Sequence, residues 1–355
     1  MRTVSSITIK SLDNVIKNVI VLKTMEAKLY RRVRGKVVCQ LCWRFCKLSE
    51  GELGFCNARM NKRGKLITLT YGNISAVESR PIEIKPFYHF KPGSTSLTFS
   101  TYSCNLDCPW CQNWHLSKSP PPVKKKILIK PEDLVNTALR YGDISLCASF
   151  NEPTLLFEFL LDTFRIAREK GLMNTMVSNG YMTPIALKML RQAGLDAINI
   201  DIKGDEETYE RYCKGKAEFV WRTAKKAVDL GIHLEMINLI VTDVNDSEDT
   251  IRDVIENHLK YVGSEVPLHF TRYFPAYLFN NPPTKIEILE KAVEMAKREG
   301  VSFVYIGNVP GHRYENTYCP NCGELLIKRY SYRVLENRVV NGRCYKCGRE
   351  IYGVW

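Results

Sequence analysis

The stretch Leu97-Thr-Phe-Ser-Thr-Tyr-Ser-Cys104-Asn-Leu-Asp-Cys108-Pro-Trp-Cys111-Gln-Asn-Trp114 decides how this chain is read. Its first four residues have strand character, and the loop that leaves them carries three cysteines in C-x3-C-x2-C spacing. Three thiolates with no fourth nearby do not close a tetrahedral zinc site. They can hold three irons of a [4Fe–4S] cube and leave the fourth iron open. An open coordination position is what chemistry at a metal requires.

Downstream of this loop, strand-like and helix-like segments alternate. The pattern predicts strands over 96–100, 144–149, 174–178, 197–202, 233–241 and 267–273, and helices over 131–141, 153–170, 184–193, 218–230, 247–262 and 284–298. Pro131 followed by Glu132 and Asp133 is a helix start with carboxylates at the positive end of the dipole. Ser247 before Glu248 and Asp249 is an N-cap pattern. Six βα units in series predict an α/β fold with a parallel sheet, either doubly wound or an incomplete barrel. Unusual polar residues at the carboxyl ends of six strands favour the barrel, because a doubly wound sheet gathers its site at one switch point. Those residues are the three cysteines, Asn151-Glu152-Pro153, Ser178-Asn179-Gly180-Tyr181, Asp201 with Lys203, Asn238, and His269 with Arg272. The expected architecture is therefore a partial (βα)6 TIM-type barrel. Each group also has a structural alternative: a helix cap at Asn151-Glu152-Pro153, a plain turn at Ser178, an Asp201–Lys203 ion pair and a core histidine at 269. The joint placement carries the argument.

Eight more cysteines fall into two groups. Cys319, Cys322, Cys344 and Cys347 form C-x2-C-x21-C-x2-C, two knuckles each followed by glycine, with strand-like residues 325–333 and 338–340 between them. That spacing predicts a zinc ribbon with a closed, structural four-thiolate site. Cys39, Cys42, Cys46 and Cys56 form C-x2-C-x3-C-x9-C and can hold zinc or a second iron–sulfur cluster. Cys147 reads as a buried inert thiol, and Cys213 is given no role.

The wider composition agrees. With 355 residues, 45% hydrophobic and 25% charged, the chain is globular rather than disordered. Thirteen cysteines, an odd number, point to metal rather than disulfides in a reducing compartment. The longest apolar runs are a handful of residues against the ~20 that span a bilayer. No signal pattern opens the chain, so a cytoplasmic protein without a membrane partner is expected. The net charge of +13 and the basic runs 31–36 and 124–126 read mainly as solvated surface and leave RNA as a partner open without indicating it.

The C-x3-C-x2-C loop resembles the signature of the radical S-adenosylmethionine (SAM) superfamily. The two four-cysteine segments are similar to those of the AmmeMemoRadiSam-system radical SAM proteins, which are related to pyruvate formate-lyase activating enzymes. Matching stretches include Gly51-Glu-Leu-Gly-Phe-Cys56, Arg59, Pro81-Ile-Glu-Ile-Lys-Pro86, His89-Phe-Lys-Pro-Gly93, Cys111-Gln-Asn-Trp114, Asn151-Glu-Pro153, Gly307-Asn308 and Gly353-Val-Trp355. The resemblance covers about residue 25 to the end. It implies that Cys104, Cys108 and Cys111 hold the cube and that SAM chelates its open iron. Trp110 then packs near the adenine, and Asn151 and Glu152 take the SAM amino group. Ser178 and Asn179 face the ribose or carboxylate, Asp201 and Lys203 the carboxylate end, and His269 the nucleoside. Where activating enzymes carry a cation-binding aspartate, this chain has Val177.

The implied reaction is one-electron reduction of the cube by a flavodoxin- or ferredoxin-type donor and cleavage of SAM to a 5′-deoxyadenosyl radical, which takes hydrogen from a substrate. By analogy with glycyl-radical activation that substrate is a protein or peptide; RNA or a small metabolite is the alternative. The family context adds the other two proteins of the AmmeMemoRadiSam system as partners. A non-enzymatic zinc-module protein fails on the middle cysteine group. The expected division is 25–95 for the N-terminal four-cysteine segment, 96–310 for the barrel and 311–355 for the ribbon. Residues 1–24 are expected to be an extension before a true start at Met25.

Overall fold

Seven parallel strands follow one another in chain order across a single sheet, with an eighth, antiparallel strand at one edge. The computed structural model describes residues 25–122 and 128–355, so the 1–24 extension and the basic run 124–126 lie outside the described residues. The strands are β1 (Ala76–Pro81), β2 (Thr95–Ser100), β3 (Ser145–Ala148), β4 (Met173–Ser178), β5 (Ala197–Ile202), β6 (His233–Ile240), β7 (Leu268–Arg272) and β8 (Val304–Gly307). Between them lie α1 (Pro131–Tyr141), α2 (Phe157–Glu169), α3 (Pro184–Ala193), α4 (Ala217–Asp229), α5 (Glu248–Tyr261) and α6 (Ile286–Arg298). Right-handed crossovers between strands taken in sequential order put the helices on one face. Consecutive helices accordingly pack on one another, and the strand order never reverses as a doubly wound sheet requires. The sheet is open, with β1 and β8 as its edges. The six-strand expectation is two strands short, since it omitted β1 and β8.

Local chemistry explains the helix boundaries. Pro131 and Pro184 stand in the first turns of α1 and α3. Ser247 caps α5 by accepting the Thr250 N–H at 3.2 Å. Gly142 and Gly194, at φ 71° and 117°, end α1 and α3 in the left-handed conformation that glycine favours. On α3 the buried residues Ala186, Leu187, Leu190 and Ala193 mark one helical stripe against the sheet.

Between β1 and β2 the chain passes beneath the sheet and forms a floor. Phe87 and Phe90 pack on Ala197, Asn199 Nδ2 donates to the Pro86 carbonyl at 3.0 Å, and the Tyr88 and His89 N–H groups donate to the buried Glu235 carboxylate at 3.0 and 2.8 Å. Upstream, residues 25–68 build two small three-stranded sheets. Arg59 locks them to α2, its Nη2 lying 2.9 and 2.7 Å from the two carboxylate oxygens of Glu158 with both side chains buried.

At the other end, Thr317–Tyr318, Leu325–Tyr330 and Arg333–Asn337 form a sheet, and Val339–Val340 pairs with Arg343–Cys344. Here the sulfurs of Cys319, Cys322, Cys344 and Cys347 all lie within 4.8 Å of one another, the spacing of a four-thiolate metal site. Hydrogen bonds from the Asn321 side chain and the Arg349 backbone hold the Cys347 thiol below its ordinary value. Replacing the exposed Cys322 and Cys347 together by serine is expected to abolish metal binding here and open the region after residue 317 to limited proteolysis. Metal analysis and a digestion time course read both.

Candidate functional site

The cysteine loop leaves β2 through Ser103, which sits at φ 73°. Its backbone is fixed from two sides. Asn151 accepts the Thr101 N–H at 3.1 Å and donates to the Ser103 carbonyl at 2.8 Å, while the Ser103 hydroxyl donates to the Cys56 carbonyl of the N-terminal module. Phe150, at φ 71°, is the other residue here held in a left-handed conformation that bulky side chains rarely adopt. Asn113 donates to its carbonyl at 2.7 Å and holds it there.

Each thiol of the loop has its own neighbour. Cys104 receives the Leu106 N–H at 3.4 Å and faces Asn179 Nδ2 at 3.6 Å. Cys111 Sγ lies 3.1 Å from the Ser117 hydroxyl, and Cys108 Sγ lies 3.3 Å from Cys213 Sγ. Burial pushes the Cys104 thiol well above its ordinary value. Among the described residues only the C-terminal group brings its sulfurs to single-ion spacing. The three loop thiols share a cleft without meeting that spacing, as suits ligands of three separate irons.

That cleft, of about 350 Å³, is lined by Cys104, Cys108, Trp110, Cys111, Asn151, Glu152, Ser178, Asn179, Asp201 and Lys203. Ten of the eleven residues singled out from the sequence for the cluster and its cofactor are thus brought to one wall. Glu152 organises it. Its Oε1 accepts from the Thr154 backbone and from Ser178 Oγ, both at 2.9 Å, and its Oε2 accepts the Asn179 N–H at 2.9 Å. The helix-cap alternative is therefore also realised, and Oε2 keeps one acceptor site open. Burial raises the Glu152 carboxyl above the ordinary range. Gly180 turns away at φ 69°, where a Cβ would stand 2.8 Å from Ile200 Cγ2, so only glycine fits. Lys203 Nζ pairs with Asp201 Oδ2 at 2.5 Å. Burial opposes that ammonium, but Asp201 beside it holds its pKa above the usual lysine range.

His269 does not line the cleft. It bonds Glu235 Oε2 at 2.8 Å, and its ring meets Tyr88 edge-on. It is buried between Glu235 and the floor residue Tyr88, the core-histidine alternative that the sequence also offered. Asn238 likewise spends its amide on the Ile202 carbonyl at 2.9 Å. Sequence reasoning missed two neighbours of the site. Lys85 enters the cleft from the floor, and its only signal was membership of the Pro81–Pro86 stretch. Cys213 touches Cys108 from a π-turn over Tyr209–Cys213. If Cys108 holds an iron it carries no proton, and Cys213 would be the donor of that contact. Cys213→Ala would then remove a hydrogen bond to a cluster sulfur, a bond that would favour the reduced, more negative state. The expected result is a more negative cluster potential in a spectroelectrochemical titration.

Both implied groups fit these residues. Three thiols line the cleft while Cys213 lies against Cys108 outside that lining, which suits a cube with an open iron. Asp201 Oδ1 and Trp110 Nε1 are buried without a partner, which suits a polar ligand against that wall. In the N-terminal group, Cys39, Cys42, Cys46 and Cys56 line one cavity of about 10 Å³, space for one water-sized sphere. Burial pushes the Cys56 thiol up to about 11.

The description "Radical SAM superfamily" matches residues 98–257. An uncharacterized protein of Methanocaldococcus jannaschii is 43% identical over 330 residues, 92% of this chain and 98% of its own. A putative glycyl-radical enzyme activating enzyme of the same organism is 25% identical, covering 46% of this chain and 68% of that one. A probable GTP 3′,8-cyclase of Methanococcus aeolicus is 28% identical over 40% of this chain and 48% of the cyclase, so the chain spans about half of that relative.

Proposed function

The chain belongs to the radical SAM superfamily, and from that premise we propose an enzyme that takes hydrogen from a protein or peptide, of the AmmeMemoRadiSam type. The observation that carries the reading is the gathering of three thiols, without a fourth, and seven further chosen residues in one cleft at the carboxyl ends of the strands. The likeness to a glycyl-radical activating enzyme supports the choice of substrate class. A small nucleotide is the second reading, favoured by the likeness to the cyclase.

When bound, the cluster and SAM supply one-electron cleavage of the sulfonium bond and a carbon radical. The chain supplies the rest. Cys104, Cys108 and Cys111 would hold the cluster. Glu152, through the open site on Oε2, would receive the SAM amino end, Ser178 and Asn179 would face the ribose or carboxylate, and Lys203, kept charged by Asp201, would meet the carboxylate. Trp110 walls the cleft near the adenine, and with Leu106 and Leu239 it excludes water from the reacting atoms. Asn151 positions the cysteine loop rather than touching the cofactor.

Zinc is the metal proposed for the C-terminal site. Cys39, Cys42, Cys46 and Cys56 line one cavity, and zinc or a second iron–sulfur cluster is the proposed occupant. A flavodoxin- or ferredoxin-type donor supplies the electron, and the other two proteins of the AmmeMemoRadiSam system are the proposed partners. Electron paramagnetic resonance of the reduced, reconstituted protein tests the cofactor assignment. SAM is expected to change the signal of a [4Fe–4S]⁺ cluster, and an unchanged signal would mean that no open iron is present.

A further inference from the structure

We propose that Lys85 anchors a carboxylate of the substrate at the floor of the cleft. The inference rests on the reading of this cleft as the reaction site. The proposed cofactor contacts descend from the strand ends, whereas Ile84, Lys85 and Pro86 enter from the floor segment. Lys85 thus reaches the cleft from a different element, with its Nζ on the Phe150 ring face.

Its side chain is held but not satisfied. The Asn199 side chain donates to the carbonyls of Lys85 and Pro86 at 3.4 and 3.0 Å and fixes the backbone. The residue is only 4% exposed. Among the described residues its Nζ has no hydrogen-bond acceptor and no ion pair, and its one close polar-type contact is the Phe150 ring face, 3.9 Å from the centroid. The other lysine of the cleft, Lys203, is already paired with Asp201. A buried ammonium without a counter-ion is costly, and burial duly lowers the Lys85 pKa. A carboxylate arriving beside it relieves that cost and restores the charge.

The chemistry of the anchor selects the anion. Phosphate is held by several donors at once, from arginine forks or a run of backbone N–H groups. Lys85 offers a single compact ammonium beside an aromatic face, which suits one carboxylate. In a peptide that carboxylate is either an acidic side chain or the C-terminus.

The test uses the full chain, reconstituted and loaded with SAM but without reductant. Binding of acetyl-Gly-Glu-Gly-amide, acetyl-Gly-Gly-Gly with a free C-terminus, acetyl-Gly-Gln-Gly-amide and inorganic phosphate is measured by calorimetry. At least one carboxylate peptide is expected to bind roughly tenfold tighter than the glutamine peptide, and Lys85→Met is expected to remove that preference. Which carboxylate peptide wins distinguishes side chain from C-terminus. A preference that survives Lys85→Met, no preference in the wild type, or phosphate binding as tightly as the peptides would overturn the proposal. A measurement without a variant guards against misfolding: acetic anhydride labelling of Lys85, read by peptide mass spectrometry, is expected to slow several-fold when the carboxylate peptide is present, and unchanged labelling counts against the anchor. No radical chemistry is needed for any arm. A carboxylate preference in a protein that never cleaves SAM would therefore defeat the radical reading and leave the anchor standing.

Discussion

Replacement of Cys104, Cys108 and Cys111 by alanine together is expected to remove all iron from the cleft site and all SAM cleavage, while the fold and the C-terminal metal persist. The three thiols lie on a loop whose course is set by other groups: Asn151 brackets it through Thr101 and Ser103, and the Ser103 hydroxyl ties it to Cys56. None of these contacts involves a cysteine side chain of the loop. Losing three sulfurs therefore leaves the scaffold intact and deletes only the donors. Iron analysis, the visible absorbance of the reconstituted protein and the far-ultraviolet circular dichroism spectrum separate the two effects. A variant that retained iron in this site would place the cluster elsewhere, with the N-terminal four cysteines as the next candidate.

Glu158→Ala is expected to cost about 3–5 kcal/mol of stability, because it strands a buried guanidinium. Arg59 is fully enclosed and gives Nη2 to both Glu158 oxygens, while Glu158 Oε1 also accepts the Lys28 N–H at 2.8 Å. Arg59 and Lys28 belong to the N-terminal module and Glu158 to α2, so the pair is the electrostatic bolt between them. Removing both charges with size-matched apolar residues, Arg59→Met with Glu158→Leu, is expected to recover most of the loss, since no unpaired charge is then left inside. Urea denaturation of the single and double variants checks the contrast. Equal losses in both would mean that packing rather than charge holds the module in place.

The strands and helices that build the cleft were legible because each obeys a local rule. β3 is a continuous buried run, α1 and α3 open on proline and close on glycine, and the polar residues follow the strand ends. β1 was not legible. Ala76–Pro81 is half-buried throughout and ends in proline, an edge strand with neither alternation nor an apolar run. β8 has four residues, too few for a period to declare itself. The burial of His269 has the same origin as the omission of Lys85. Both depend on the floor segment, which runs from β1 back under the sheet to reach Glu235 and Asn199, far away in the chain. Only the fold shows that this segment sets Tyr88 against the His269 ring and delivers a lysine to the cleft. Cys213 was opaque for a similar reason, since its meeting with Cys108 depends on the π-turn that carries it across from the end of β5.

Cys104, Cys108 and Cys111 are proposed to hold a cluster with an open iron at which SAM is cleaved. The most direct measurement is anaerobic reconstitution with iron and sulfide, followed by dithionite and SAM, with 5′-deoxyadenosine quantified over time against the triple alanine variant. 5′-Deoxyadenosine is expected from the wild type and none from the variant. No product from a wild-type protein whose cleft site holds zinc in place of iron would contradict it and return these cysteines to a structural role.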